Sequence, residues 1–454
     1  MIRPLAFILL LAASAFAKPN ILFIITDDLG YGDLGCYGQK HFKTPVLDGL
    51  AKNGLRFTDH YSGTTVCAPS RCALMTGRDT GHASIRGNGA FTLLPDPQDP
   101  TIASMLKSAG YRTAMIGKSC VTGNTQDPKV VLNKGFDVFY GTTSHVDGHW
   151  RYPEFIYDQA EKVTLKGNSL HDGDQYDAEL YTKRAEKFIA ETEGPFFLLL
   201  SYPIPHASVL APKGGEADIP NDVDYMPKKF HYSQVKGVKG NYGGMVMAID
   251  DYVGRLMKAL ESKGVSDDTL ILFTSDNGSH FEGGYKAQML DSNAPLRGGK
   301  RDLYEGGIRV PLIAHWPNGI KTPGEPSHPS AFWDFMPTAC ELAGIEVPAG
   351  IEGISYAPTL TGKGEQKKHE YLYWEFHEQG GRRALRVGDW KLVQYGLKPG
   401  GKFGKPQLFD LSKDIGEQND LAAKHADRVK EMMSTMDAAR VESPRFKQAG
   451  LDGL

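Results

Sequence analysis

The chain is poor in cysteine, with five in 454 residues, and it has no excess of charge of either sign: 51 Lys and Arg stand against 54 Asp and Glu, for a formal net charge of -3. So few cysteines exclude a disulfide-stapled miniprotein. The charge balance excludes a general binder of nucleic acid or acidic membrane, whose basic excess would show in the totals, although it leaves room for a small basic pocket. Long apolar runs are also lacking. Beyond residue 17 no stretch approaches the ~18 apolar residues of a membrane span. Repeats and low-complexity tracts are missing too, so the 52 glycines and 27 prolines serve shaped loops rather than disorder. The length accommodates one large domain or two to three smaller ones, each with room for a core.

What is present begins with an export signal. After Arg3 the chain is apolar from Leu5 to Leu11, and small residues lead to Ala15-Phe16-Ala17 before Lys18. A basic start, a short apolar core and an Ala-x-Ala site together read as a secretory signal peptide over 1–17. Lys18 stands where a lipoprotein would need cysteine, so no lipid anchor is expected. The mature chain is expected to be soluble, in a periplasm or secreted, with no membrane anchor and no nucleic-acid partner.

Short apolar runs at Ile21 to Ile25, Arg112 to Ile116, Phe196 to Ser201, Leu270 to Phe273 and Val310 to Ala314 read as buried strands. Helical patterns over Val46 to Asn53, Thr101 to Ala109, Tyr176 to Glu191 and Tyr242 to Lys263 alternate with them. This predicts an α/β fold, a large mostly parallel sheet flanked by helices. After the polar stretch from Gly362 to Lys368, strand-like runs at Tyr371 to Phe376, Arg383 to Val387, Trp390 to Tyr395 and Gln407 to Leu411 precede a helical pattern from Ala422 to Arg440. The expected division is a catalytic domain over 18–365 and a smaller antiparallel α+β subdomain over 366–454.

In parallel sheets ligands gather beyond the carboxyl ends of strands, where Asp27, Asp28, Asp276 and Asn277 fall. Such oxygen donors suit a hard cation, Ca2+ or Mg2+. By spacing alone such pairs more often make Asx turns and helix caps.

The segment Val66-Cys67-Ala68-Pro69-Ser70-Arg71-Cys72-Ala73-Leu74-Met75-Thr76-Gly77-Arg78 contains Cys-x-Pro-Ser-Arg and its Leu-x-Thr-Gly-Arg continuation. It resembles the hallmark of the type I sulfatases, the formylglycine-dependent branch of the alkaline phosphatase superfamily. The resemblance extends through Asp27-Asp28-Leu29-Gly30-Tyr31-Gly32-Asp33, Phe273-Thr274-Ser275-Asp276-Asn277-Gly278, Leu296-Arg297-Gly298-Gly299-Lys300, Tyr304 to Pro311 and Arg386 to Leu392. It implies an alkaline-phosphatase-like fold and hydrolysis of sulfate esters, of a sulfated carbohydrate or an aryl alcohol. It also implies conversion of Cys67 to formylglycine by a formylglycine-generating or anaerobic sulfatase-maturating enzyme. Asp27, Asp28, Asp276, Asn277 and the oxygen of modified residue 67 would hold Ca2+ in preference to Mg2+. Lys118 and Lys300 would grip the anionic sulfate, Arg71 would steady residue 67, Asp276 would help activate it, and His206 would protonate the leaving alcohol. Formylglycine-dependent phosphodiesterases or phosphonate hydrolases, and a sulfated-glycan-binding pseudoenzyme, are the rival readings.

One position departs from that pattern. Relatives commonly read Gly-Lys-Trp-His around the first sulfate-binding lysine, and here the segment is Gly117-Lys118-Ser119-Cys120. The histidine that usually takes the proton in the elimination step is replaced by Cys120, with His82, His145, His149 and His280 as candidate substitutes. Ser144, His145, His149 and His280 are also candidate substrate contacts. Specificity is expected in the stretches Gly141 to Pro153, Pro212 to Tyr232 and Gly278 to Asn293, where Tyr140, Trp150, Tyr152, Tyr225 and Tyr285 are candidates to stack on a ring. With Cys67 assigned to modification, Cys36, Cys72, Cys120 and Cys340 remain, and their pairing is not readable from sequence.

Overall fold

The structure, a computed structural model, describes residues 18–89, 92–123, 125–220, 237–396, 404–447 and 452. The expected signal segment 1–17, Tyr225 and positions 221–236 lie outside the described residues.

The apolar run after Lys18 forms the strand Asn20–Asp27, buried along its whole length. It lies between Phe196–Pro205 and Thr269–Ser275, parallel to both. Alternate residues of a strand face opposite sides, and both sides here are covered. Leu22 and Ile24 join one core cluster with Tyr181 and Ile249, while Ile21, Phe23 and Ile25 join another with Met75 and Phe335. Two-sided burial explains why the sequence is continuously apolar rather than alternating.

The sheet has nine strands, in the order Leu55–Phe57, Leu312–His315, Thr269–Ser275, Asn20–Asp27, Phe196–Pro205, Arg112–Lys118, Val138–Thr142, Phe155–Asp158 and Glu161–Thr164. Its middle is parallel and its edges antiparallel. The expected mostly parallel sheet is therefore a mixed one with a parallel centre. That centre delivers the ends of four strands, Asp27, Ser275, Pro205 and Lys118, to the same edge. No helix among the described residues is long and apolar enough to cross a membrane.

The second sheet is antiparallel, with strands Leu372–Phe376, Arg382–Val387, Trp390–Tyr395 and Gln407–Asp410. One face packs Trp374, Phe376 and Val393 against Tyr61, Val66, Ala73 and Trp333 of the larger part. Tyr373, Leu385 and Leu392 on the other face are covered by Met432 and Met436 of the helix Ala426–Ala438, shorter than the expected helix.

Glu375 ties the two parts together. It is fully buried and accepts from Arg86 Nη1 at 2.9 Å, Arg440 Nε at 2.8 Å and the Tyr373 hydroxyl at 2.8 Å, with His377 Nε2 also at 2.8 Å. Burial alone would raise its pKa, but the His377 hydrogen bond and the charges of Arg86 and Arg440 hold it down at about 2. A carboxyl whose folded pKa lies below its unfolded value contributes stability that is complete above roughly pH 4.3 and is lost as pH falls through the folded value. Glu375→Gln should cost roughly 3–5 kcal/mol by leaving buried guanidinium groups without their counter-charge. The measurement is the urea midpoint at neutral pH, and an unchanged midpoint would remove Glu375 from the stabilising network.

Candidate active site

Cys67 opens the helix Cys67–Thr76, all ten residues of which are buried. Pro69 is tolerated because the first turn has no intrahelical partner for its missing N–H. Gly77 ends the helix with φ 70°, a left-handed conformation that favours glycine. Arg71, four residues on, shares the helix face of Cys67. Its Nε donates to Asp276 Oδ2 at 2.9 Å and its Nη2 lies 2.9 Å from the same oxygen, while Nη1 donates to Ser201 Oγ at 2.5 Å and Cys120 Sγ at 3.3 Å.

Three carboxylates converge beside this helix, and all are fully buried. Asp27 receives hydrogen bonds from Lys118 Nζ and, at 3.2 Å, from the Cys67 thiol. Burial would raise its pKa, but Lys118, His206, Arg71 and Lys300 hold it well below the usual carboxylate range. Asp28 adopts a left-handed φ of 65°, accepts from Lys300 Nζ at 2.8 Å and Asn277 Nδ2 at 2.7 Å, and its N–H donates to Asp276 Oδ1 at 3.1 Å. Asp276 is pushed up to about 7 by burial and by Asp27, with Arg71 opposing. Next to it, Gly278 packs so closely that a Cβ there would lie 1.8 Å from the Gly306 carbonyl oxygen.

The Asn277 side-chain oxygen is buried with no hydrogen-bond partner, although its amide nitrogen donates to Asp28 and to the Gly278 carbonyl. An orphaned amide oxygen beside three carboxylates is the donor set of a hard cation. Asp27, Asp28, Cys67 and His206 also offer ligand atoms within 4.8 Å of one another. The residues present fit a divalent metal.

His206 follows the strand Phe196–Pro205. Its Nδ1 bonds the Ala207 carbonyl, and its Nε2 accepts from Lys300 Nζ at 2.9 Å and lies 3.4 Å from Asp28. Burial and the Lys300 charge lower its pKa to about 4, and the ring stacks on His149 with centroids 4.0 Å apart. Cys67, Asn88, Gly89, His145, His149, His206, Glu282, Lys300 and Arg301 line a cavity of about 210 Å³. A larger groove of about 770 Å³, between the helices Pro45–Lys52 and Val238–Lys263, contains none of them.

The structure thus gathers Asp27, Asp28, Cys67, Arg71, Lys118, His206, Asp276, Asn277 and Lys300 into one constellation. The other candidates separate. His145 lines the cavity with a buried, unpartnered Nε2, and His149 lines it beside His206. His280 has both ring nitrogens engaged, with the Pro205 carbonyl at 3.1 Å and the Glu282 N–H at 3.1 Å, so it braces the loop. His82 pairs with Asp79 at 2.9 Å and Glu352 at 3.5 Å and does not line the cavity, and neither does Ser144. Cys120 packs its thiol against Arg71 within an apolar cluster. All five cysteines are free thiols. None of the described aromatic candidates for ring stacking lines the cavity: Tyr285 is buried against Tyr242 at 3.8 Å, Tyr152 is buried, Tyr140 meets Tyr181 and Trp150 meets His171. Sequence reasoning missed Glu282 and Arg301, although each sits within or just beyond a segment it had singled out.

The sulfatase family model matches residues 19–345, and a model described as N-sulphoglucosamine sulphohydrolase, C-terminal, matches 299–442. Steryl-sulfatase of Mus musculus is 30% identical over 96% of this chain and 84% of its own length. N-acetylgalactosamine-6-O-sulfatase of Bacteroides thetaiotaomicron is 28% identical over 93% of each. Among solved structures, Ps i-CgsB in complex with k-i-k-neocarrahexaose superposes with a TM-score of 0.76 at 29% identity, covering 93% of this chain and 92% of that one.

Arg71→Ala would leave Asp276 and Asp27 buried without their guanidinium and should cost roughly 3–5 kcal/mol. Arg71→Lys should recover only part of this, since a point charge cannot reproduce the fork. Guanidinium-induced unfolding of the three proteins measures it, and equal midpoints would contradict the assigned role.

Proposed function

Because the chain belongs to the sulfatase family and is a sulfuric ester hydrolase, we propose that it cleaves sulfate esters with residue 67 as nucleophile after conversion of Cys67 to formylglycine, aided by Ca2+. The observation that carries this reading is the buried constellation itself: Cys67 at a helix start, with Lys118 and Lys300 beside it and the unpartnered Asn277 oxygen among carboxylates. As a cysteine, residue 67 makes a poor nucleophile. Burial and the neighbouring Asp27 raise its thiol pKa well above the ordinary value, so the reactive thiolate is suppressed. The formylglycine supplies a geminal diol, whose second hydroxyl offers an intramolecular exit that a serine would lack. Asp27, Asp28, Asp276, Asn277 and residue 67 would hold the Ca2+, which would supply fixed positive charge for the sulfate oxygens.

The remaining roles belong to the chain. Asp27 and Asp28 offset the burial of Lys118 and Lys300, which keep their charge in spite of it and are available to neutralise the sulfate. Arg71 fixes the Asp276 carboxylate next to residue 67. His206, at the cavity wall, is assigned the protonation of the departing alcohol, passing on through Nε2 the proton that Lys300 Nζ offers it. Of the histidines weighed against Cys120, His145 is best placed to take a proton, because its Nε2 is unpartnered and lines the cavity. We read 18–365 as the catalytic domain and 366–454 as a supporting subdomain, in a chain exported to the periplasm or beyond after cleavage before Lys18.

Co-expression with a formylglycine-generating enzyme should yield a Cys67 peptide whose mass is that of the aldehyde. The matured protein should release sulfate, chelation by EGTA should abolish the activity and Ca2+ should restore it. Cys67→Ala should lose on the order of 10⁴-fold or more. His206→Ala should lose roughly 10²–10⁴-fold with an alkyl sulfate and less with 4-nitrophenyl sulfate, whose leaving group needs little protonation. A fully converted protein that hydrolyses a phosphodiester but no sulfate ester would overturn the reading in favour of phosphoryl chemistry.

A further inference from the structure

Two cavity residues have no part in that chemistry. Arg301 directly follows Lys300 and holds a left-handed φ of 74°, a conformation that costs a residue with a side chain roughly 1–2 kcal/mol. From there its Nη1 reaches Glu282 Oε1 at 2.7 Å. The other oxygen of Glu282 lies 3.1 Å from Lys300 Nζ and 3.5 Å from His206 Nε2. Both side chains line the cavity with Cys67 and remain partly open, 23% exposed for Glu282 and 29% for Arg301. The pair opens onto the same cavity as Cys67, so its polar atoms can meet a ligand there as well as each other.

The pair does fit a ligand. A carboxylate only accepts hydrogen bonds and a guanidinium only donates them, so side by side they match two neighbouring hydroxyls, one giving its proton and the other receiving one. In spite of its burial, the Glu282 carboxyl is kept ionised, and therefore accepting, by the charges of Lys300 and Arg301. An apolar alcohol in the same space would strip water from both groups without replacing it, at a cost of about 1–3 kcal/mol for each.

We propose that Glu282 and Arg301 are a specificity pair that reads adjacent hydroxyls of a sugar ring next to the sulfated position, and so selects sulfated sugars over aryl and steryl sulfates. This rests on the sulfate-ester reading above and names the substrate class of that site.

The test uses the matured full-length enzyme with hexoses and N-acetylhexosamines monosulfated at each position, cyclohexyl sulfate as the ring without hydroxyls, and 4-nitrophenyl sulfate. The best sugar sulfate should exceed cyclohexyl sulfate by about 10²-fold or more in kcat/KM. Arg301→Lys, Arg301→Gly and Glu282→Gln should each cut that ratio about tenfold or more, with thermal unfolding confirming that the variants are folded. Parallel losses on both substrates, leaving the ratio within about twofold, would overturn the proposal, as would a parent enzyme that prefers cyclohexyl sulfate. Absence of turnover on every substrate, 4-nitrophenyl sulfate included, would instead overturn the sulfate-ester reading, and the pair with it.

Discussion

Mutual repulsion among Asp27, Asp28 and Asp276 is the constraint from which the rest of the structure follows. The three carboxylates sit at the ends of two adjacent parallel strands with no solvent exposure. Buried like charges are tolerated only when compensated in place. Arg71 comes from the helix behind them, Lys118 from the end of another strand and Lys300 from a distant loop. Each cation arrives on a different element, so the set exists only when the long-range fold is complete. The same arrangement places Lys118 and Lys300 around residue 67, the fixed positive charge that an anionic ester requires.

The central strands were legible because burial on both faces leaves a continuous apolar run, and the covering helices because their apolar residues repeat at helical spacing. The helix Cys67–Thr76 was not. All of its residues are buried, so it has no polar face to create a period. The edge strand Glu161–Thr164 escaped for the opposite reason, being exposed throughout. Within the site, motifs pointed to Cys67, the cations and the carboxylates, while the residues taken one by one left Asx turns as the commoner reading of the acidic pairs. Only the left-handed Asp28 and the unpartnered Asn277 oxygen distinguish the two. Glu282 and Arg301 were invisible because single charged loop residues carry no pattern. Tyr152 and Tyr285 are core residues, an alternative the sequence left open because an aromatic ring in a loop segment looks the same whether it faces a ligand or the core.

The small antiparallel sheet has a direct structural bearing on the site. Trp374 Nε1 donates to the Ser62 carbonyl at 3.1 Å and Thr64 Oγ1 to the Glu375 carbonyl at 3.2 Å, just ahead of Cys67 in the chain. Ala73, on the Cys67 helix, shares a core cluster with Trp374 and Phe376. The sheet buttresses the helix from the side away from the carboxylates, so the position of residue 67 depends on contacts made by residues more than three hundred positions later.

The burial of Cys67 also sets a chronology. Its side chain is only 3% exposed, and the nine residues after it are equally enclosed. Once this helix has seated against both sheets, a modifying enzyme cannot draw the thiol into its own cleft without undoing the core around it. The proposed oxidation of Cys67 would therefore compete with folding, and would have to take place while the segment is still extended. A chain that folds first is left with an inert thiol inside a fully formed site.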